Sequence, residues 1–344
     1  MLATIFRGGN LVVDTLPDPV PAKGQVLVKT LACGICGSDL HAVKHAHPFV
    51  DSLRRAGAPE IMDLSRDIVL GHEFCAEVID YGPGTERRLR PGTRVTCVPL
   101  TFGADGVRTI GYSNVLPGGF GQMMLLDPAL LQEVPNGLST EHAALVEPMS
   151  VGIHAVAKAA FQGGEVPLVI GCGPVGLAVI AALKLKGVGP ILAADYSRAR
   201  RALAEKMGAE VVIDPAQRSP YEIWAEHATP QRRSAVLFEC VGVPGMLQQL
   251  ITGAPPASRI VVVGVCMQFD QYDPMVAIYK ELQIQYSLAY TPEEFARTLR
   301  HVSEGEIDVA PLITGRVALD EVKQAFDVLA TPEWHAKILV EPWS

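Results

Sequence analysis

Two textures of hydrophobic patterning divide the chain. Up to about residue 148, short segments such as QVLVKTLA (25–32) and CAEVIDYG (75–82) are separated by turn signals, GPGT and RPGTRV among them. That pattern predicts a β-rich region of short strands. From about residue 149 the apolar runs become continuous and alternate with helical patterns. VPLVIG precedes a helix from Pro174, and PILAAD precedes SRARRALAEKMGA; AEVVID, SAVLFECVG, RIVVVGV and LQIQYSL follow. Six short apolar strands with helices between them predict a doubly wound parallel sheet, covered on both faces. After about residue 288 a helix (PEEFARTLRHVSEG) and a few short elements, including HAKILVEP, close the chain. The fold class predicted is α/β. No internal repeat or low-complexity tract interrupts it.

One uncharged stretch, Val166 to Leu183, is long enough to suggest a membrane span. Gly171, Gly173 and Gly176, with Pro167 and Pro174, break it. A buried strand, a tight turn and a buried helix fit those breakers better. The N-terminal residues lack the apolar core of a signal peptide. The chain is therefore read as soluble and cytoplasmic. At 344 residues it exceeds the usual single core, which predicts two domains. A net charge of −8 without a basic run argues against nucleic acid or an anionic membrane as partner. The seven cysteines are odd in number, which favours free thiols or metal ligands over disulfides.

The loop GCGPVG, Gly171 to Gly176, follows a strand and opens a helix. Gly171 permits the tight turn, Gly173 lets backbone approach a pyrophosphate, and Gly176 lets helix pack on strand. The helix start, with Pro174 and Val175, offers unpaired N–H groups to the phosphates. By itself the loop could be an ordinary glycine-rich turn. Asp195 strengthens it, because it ends the second strand about 20 residues further on. A carboxylate there accepts hydrogen bonds from ribose hydroxyls and repels a 2′-phosphate, so NAD is favoured over NADP. Arg198, Arg200 and Arg201 qualify that preference, since a guanidinium can hold the extra phosphate. Arg200, Val241 and Val265 complete the candidate cofactor set.

Upstream lie CGICGSDLH, Cys33 to His41, and GHEF, Gly71 to Phe74. Thiolate and imidazole are ligands zinc favours, and a catalytic zinc needs three protein ligands with one position open. Cys36, His72 and one carboxylate meet that count. Taken alone, Cys33 and Cys36 could be a redox pair, with Ser38 and Asp39 opening a helix behind them. A four-Cys site lacks its second CxxC. A lone His72 is more often a packed histidine than a ligand.

Taken together, CGICGSDLH, GHE, EPMSVG (Glu147 to Gly152) and GCGPVG occur in an order that resembles the zinc-containing medium-chain dehydrogenases, the superfamily of alcohol, sorbitol and threonine dehydrogenases. The resemblance covers essentially the whole chain. It implies a GroES-like β-rich catalytic domain, residues 1–148 and 289–344, around a Rossmann NAD-binding domain, residues 149–288. It implies zinc on Cys36 and His72, with Glu73 or Glu147 sharing the third position. Cys33 matches a variable position and is expected to be structural. Asp39 would orient His72 through its other ring nitrogen. Ser38 would be the first hydroxyl of a proton relay, and His41 its far end. Lys337 is expected either at the cofactor phosphates or exposed on an edge strand.

Two departures stand out. The stretch from Cys97 to Phe120 holds Cys97 as its lone cysteine, so a single catalytic zinc and no structural zinc is expected. Cys36 and His72 are also further apart than the resemblance implies. The extra residues, 45–67, are expected to form a loop or short helix near the active-site mouth, with His45 and His47 on the surface.

The implied activity is hydride transfer between an alcohol and NAD, giving a ketone or aldehyde. Glu147 in place of cysteine points by analogy to secondary alcohols or polyols. Homo-oligomers are expected, a dimer or tetramer, with LQIQYSL pairing across a two-fold axis. Two other readings compete. A zinc-free reductase of quinones or enones requires the metal ligands to be missing. A non-catalytic NAD-binding protein requires no turnover with any alcohol despite bound zinc.

Overall fold

The structure is a computed structural model that describes residues 1–103, 106–229, 234–331 and 335–344. Two sheets dominate it. The first is a six-stranded parallel sheet, ordered Val211–Ile213, Leu192–Ala194, Glu165–Ile170, Ser234–Glu239, Arg259–Val262, Gln283–Tyr286. Numbered along the chain that order is 3-2-1-4-5-6, the doubly wound arrangement in which strand order reverses beside the first strand. All six predicted strands form. The Glu165–Ile170 strand is buried along its whole length, which explains why its pattern is continuous rather than alternating.

Each face of this sheet carries its own apolar layer. Helix Pro174–Lys186 covers one face through Leu177, Val179, Ile180 and Leu183. Helices Pro220–His227 and Met246–Gly253 cover the other through Trp224, Leu247, Leu250 and Ile251. At about 1.5–3 kcal/mol per fully buried apolar side chain, the two layers anchor the sheet. Its carboxyl edge, where the glycine loop lies, stays free for a ligand.

The second sheet follows the order Ile313–Val317, Lys337–Val340, Val26–Gly34, Glu73–Tyr81, Arg94–Cys97, Leu131–Glu133, with Met123–Leu126 also paired to Val26–Gly34. The chain's late segment thus returns to the early one: Leu339 lies opposite Gly34, and Val340 opposite Cys33. Two hairpins, Leu2–Arg7 with Asn10–Thr15 and Leu100–Gly103 with Gly106–Thr109, flank this sheet. The chain passes between the sheets twice, through helix Val146–Lys158 and again after Tyr286. The first crossing is a continuous helix, so no break in structure falls at residue 148.

The extra residues near the front form a helix, Ala46–Ala56, ending at Gly57 in the left-handed conformation. His45 is half-buried and His47 exposed. The Arg55 guanidinium lies 4.7 Å from the ring centre of Phe269, joining this helix to the loop after the fifth parallel strand. Among the described residues no helix is long and apolar enough to cross a membrane; the Val166–Leu183 stretch splits into strand, turn and helix. All seven cysteines are free thiols.

Candidate functional site

Cys36 caps helix Gly37–Lys44 in an extended conformation, directly after the Val26–Gly34 strand. Its N–H donates to Asp39 Oδ2 at 3.0 Å, which fixes the turn that presents the thiol. His72 and Glu73 arrive from the start of the neighbouring strand, with Gly34 opposite Glu73. A Cβ at Gly34 would collide with Glu73 Oε2, so glycine there makes room for the carboxylate. The sulfur of Cys36, a ring nitrogen of His72 and a carboxylate oxygen of Glu73 then lie within 4.8 Å of one another. Among the described residues this is the one His/Cys/carboxylate group so assembled.

Ligands around a four-coordinate zinc at 2.0–2.3 Å sit roughly 3.3–3.8 Å apart, so small side-chain adjustments would close this group on an ion. The donor set (thiolate, imidazole, carboxylate) is the one zinc selects. The surroundings agree. His72 Nδ1 is buried without a hydrogen bond, 3.3 Å from Asp39 Oδ1. Its other nitrogen, Nε2, faces Ser38 Oγ at 3.5 Å. Burial opposes the charged imidazole, but Asp39 and Cys36 outweigh it and raise the pKa of His72 well above its ordinary value. Positive charge is favoured at this point, and the residues present fit a divalent cation.

Glu147 lies outside the group of three. Its Oε1 accepts the hydroxyl proton of Tyr290 at 2.8 Å. Burial pushes its carboxyl up to about 7, against the pull of His72 and with the push of Glu73. Cys33 is fully buried and packs against Gly71 and Gly119.

Lys337 overturns both expectations made for it. Its strand lies between two others rather than at an edge, and the side chain is 2 % exposed. Its ammonium donates to Glu73 Oε1 at 2.7 Å, to Glu73 Oε2 at 2.6 Å and to the Ile35 carbonyl at 3.1 Å. Burial opposes that charge, yet Glu73 and Cys36 hold it in place. The lysine belongs to the metal group's surroundings, not to the cofactor phosphates.

Ser38 donates to Cys36 Sγ at 3.1 Å and accepts from Tyr112 Oη at 2.8 Å. His41 sits in the last turn of the same helix, its ring 6.2 Å from that of His45. Among the described residues no side-chain hydrogen bond joins His41 to Ser38. Tyr112 and Tyr290 were both missed by sequence reasoning. Each is a single aromatic in a loop, without a periodic neighbour or motif to mark it.

The predicted cofactor residues gather at the carboxyl edge of the parallel sheet. Gly171 has φ +94°, and a Cβ on Gly176 would collide with the Gly171 carbonyl oxygen. The room above Gly173 is open, with Arg200 Nη1 the nearest atom to an added Cβ at 3.8 Å. Gly173 caps helix Pro174–Lys186, with Val175 in its first turn. Asp195 accepts the Cys172 N–H through Oδ2 and the Ser197 N–H through Oδ1, each at 2.8 Å, leaving lone pairs for a further donor. Arg200 Nε is buried without a partner among the described residues. Val241 stands beside Gly171, and Val265 beside Gly242. An open glycine, a helix N-terminus and an unpartnered guanidinium nitrogen fit a dinucleotide's phosphates.

The chain is similar to known proteins over nearly its whole length. The model for the alcohol dehydrogenase GroES-like domain matches residues 22–136, and that for zinc-binding dehydrogenases matches residues 174–304. The chain is 32% identical to (R,R)-butanediol dehydrogenase of Bacillus subtilis (strain 168), over 97% of each sequence. It is 29% identical to sorbitol dehydrogenase of the same organism, over 94% of this chain and 92% of that one. Among solved structures, a Sinorhizobium meliloti 1021 dehydrogenase bound to NADP superposes with a TM-score of 0.83 at 27% identity, covering 99% of both chains.

Proposed function

Because this chain belongs to the zinc-containing medium-chain dehydrogenase/reductase superfamily and is an alcohol or polyol oxidoreductase of that group, we propose that it oxidises a secondary alcohol or a small polyol with NAD, using one catalytic zinc. The grouping of Cys36, His72 and Glu73 within 4.8 Å carries this reading. Residues 1–148 and 289–344 form the catalytic domain, and 149–288 the coenzyme domain.

Cys36, His72 and Glu73 would hold the ion, with Glu147 close enough to feel His72 and Glu73. When bound, zinc lowers the pKa of an alcohol hydroxyl and, in reverse, polarises the carbonyl. Asp39 fixes the orientation of His72. Ser38 would accept the alcohol proton and give up its own through the nicotinamide ribose toward His41, which would return it to solvent. The glycine loop and the helix beginning at Pro174 hold the pyrophosphate, while Val241 and Val265 line the way toward the reacting carbon. Asp195, still able to accept from ribose hydroxyls, supports NAD over NADP; Arg200 is the group that would soften that preference.

We assign the protein to the cytoplasm, where seven free thiols persist, and to a homo-oligomer. Strand Gln283–Tyr286 ends the parallel sheet with one side unpaired, and Ile278, Tyr279, Tyr286 and Leu288 nearby are 65–84% exposed. An apolar sheet edge of this kind pairs with a second copy or aggregates. Light scattering should give at least twice the chain mass, and Tyr286→Asp with Leu288→Asp should release monomers. A monomeric wild type at micromolar concentration sinks the assignment.

The functional test is a panel of primary alcohols, secondary alcohols, vicinal diols and polyols with NAD and with NADP, alongside metal analysis. One zinc per chain and turnover concentrated on secondary alcohols or diols are expected, with kcat/KM for NAD at least about tenfold above NADP, a difference of about 1.4 kcal/mol. Zinc-free protein that reduces quinones or enones would establish the reductase alternative instead.

A further inference from the structure

We propose that Tyr112 is a positioning residue for the reaction, acting through Ser38; the proposal rests on the role given to Ser38 above. The Ser38 hydroxyl sits among three polar neighbours: Cys36 Sγ at 3.1 Å, His72 Nε2 at 3.5 Å and Tyr112 Oη at 2.8 Å. A serine has one proton to give, so which neighbour donates to it decides where that proton points. Tyr112 is the donor. Its ring is held between Phe49, edge-on at 5.6 Å, and His72, tilted at 5.3 Å, so the hydroxyl has little freedom to turn away. Within reach it has two acceptors, Ser38 Oγ and, at 3.2 Å, Asp39 Oδ1. A phenol keeps its proton at neutral pH and is therefore able to donate.

With Tyr112 donating to one lone pair of Ser38, the serine's second lone pair is left to accept the proton of a bound alcohol, and its own proton points away from Tyr112. The extra helix Ala46–Ala56 enters the chemistry at this point, because Phe49 is the residue that packs the Tyr112 ring. Without the phenol, Ser38 turns more freely, and productive alignment with the alcohol becomes one arrangement among several.

The test is a double-mutant cycle between Tyr112→Phe and Ser38→Ala on zinc-loaded enzyme, read by kcat, KM and solvent deuterium isotope effect. Tyr112→Phe should lower kcat by about 10–100-fold, leave alcohol KM within about twofold, and raise the solvent isotope effect on kcat. In the Ser38→Ala background it should cost nothing further. A second readout is independent of turnover. In cobalt-substituted Tyr112→Phe, the thiolate-to-metal charge-transfer band should move to lower energy, because Ser38 is then no longer held in its hydrogen bond to Cys36 Sγ. Equal losses in both backgrounds, or an unmoved cobalt band with unchanged kcat, overturn the proposal. If Ser38→Ala itself leaves kcat intact, the proton role of Ser38 fails first, and that result is distinguishable from a failure of Tyr112 alone.

Discussion

Cys36→Ser is expected to empty the metal centre and to lower kcat/KM by about 10³-fold or more. A serine hydroxyl is a poor zinc donor at neutral pH, because the metal must pay for removing a far less acidic proton than a thiol's. The remaining imidazole and carboxylate would hold the ion weakly, with Glu73 already shared with Lys337. Loss of the Lewis acid forfeits several kcal/mol of transition-state stabilisation, and each 1.36 kcal/mol is a factor of ten. Folding should survive, since the Cys36 side chain is half-buried and its backbone caps the helix in either variant. Metal content by plasma emission, together with steady-state turnover, checks the prediction. A variant that keeps full zinc and full activity shows that the centre has been misplaced.

Lys337→Met is expected to destabilise the metal-free protein by about 3–5 kcal/mol, the usual cost of stranding one partner of a buried ion pair. Glu73 is fully buried, and both of its oxygens accept from this one ammonium. Without it the carboxylate must either ionise unpaired or take up a proton. The melting temperature should fall by roughly 5–15 °C, reading the loss against the entropy of a domain this large. Two controls separate charge from packing. Glu73→Gln in the same chain should restore most of the loss, since both charges then go together. Zinc should stabilise the Lys337→Met protein more than the wild type, because the ion supplies the cation that Glu73 lacks. A melting temperature within 2 °C of wild type, measured by calorimetry without metal, would falsify the idea that this pair holds the site together (about 2 °C being less than 1 kcal/mol here).

What could be read from the chain was whatever is local along it. Strand Glu165–Ile170, the glycine loop and helix Pro174–Lys186 are contiguous, and each glycine has a steric reason visible in the motif itself. Cys36 and His72 could be nominated because their residue types are rare enough to signal a metal. That Glu73 and not Glu147 would group with Cys36 and His72 was not legible: the space its carboxylate occupies depends on the missing Cβ of Gly34, on another strand. Lys337 was misread for the same reason. Its partner lies 264 residues away, and nothing in HAKILVEP distinguishes a central strand from an edge one. Tyr112 reaches Ser38 across 74 residues, and Tyr290 reaches Glu147 across 143. The extra residues 45–67 were recognisable as an addition near the mouth; that their helix would pack an aromatic against the site depended on the loop holding Tyr112.

The hydrogen bond from Tyr290 to Glu147 joins the two places where the chain passes from one sheet to the other: Glu147 rides on the first crossing, Tyr290 follows close on the second. A rotation of one domain against the other must turn about these crossings, since they are the covalent links between the parts. Points on such an axis move least, while points far from it sweep the widest arc. The Tyr290–Glu147 hydrogen bond therefore ties the two crossings to each other, beside the Cys36, His72 and Glu73 group.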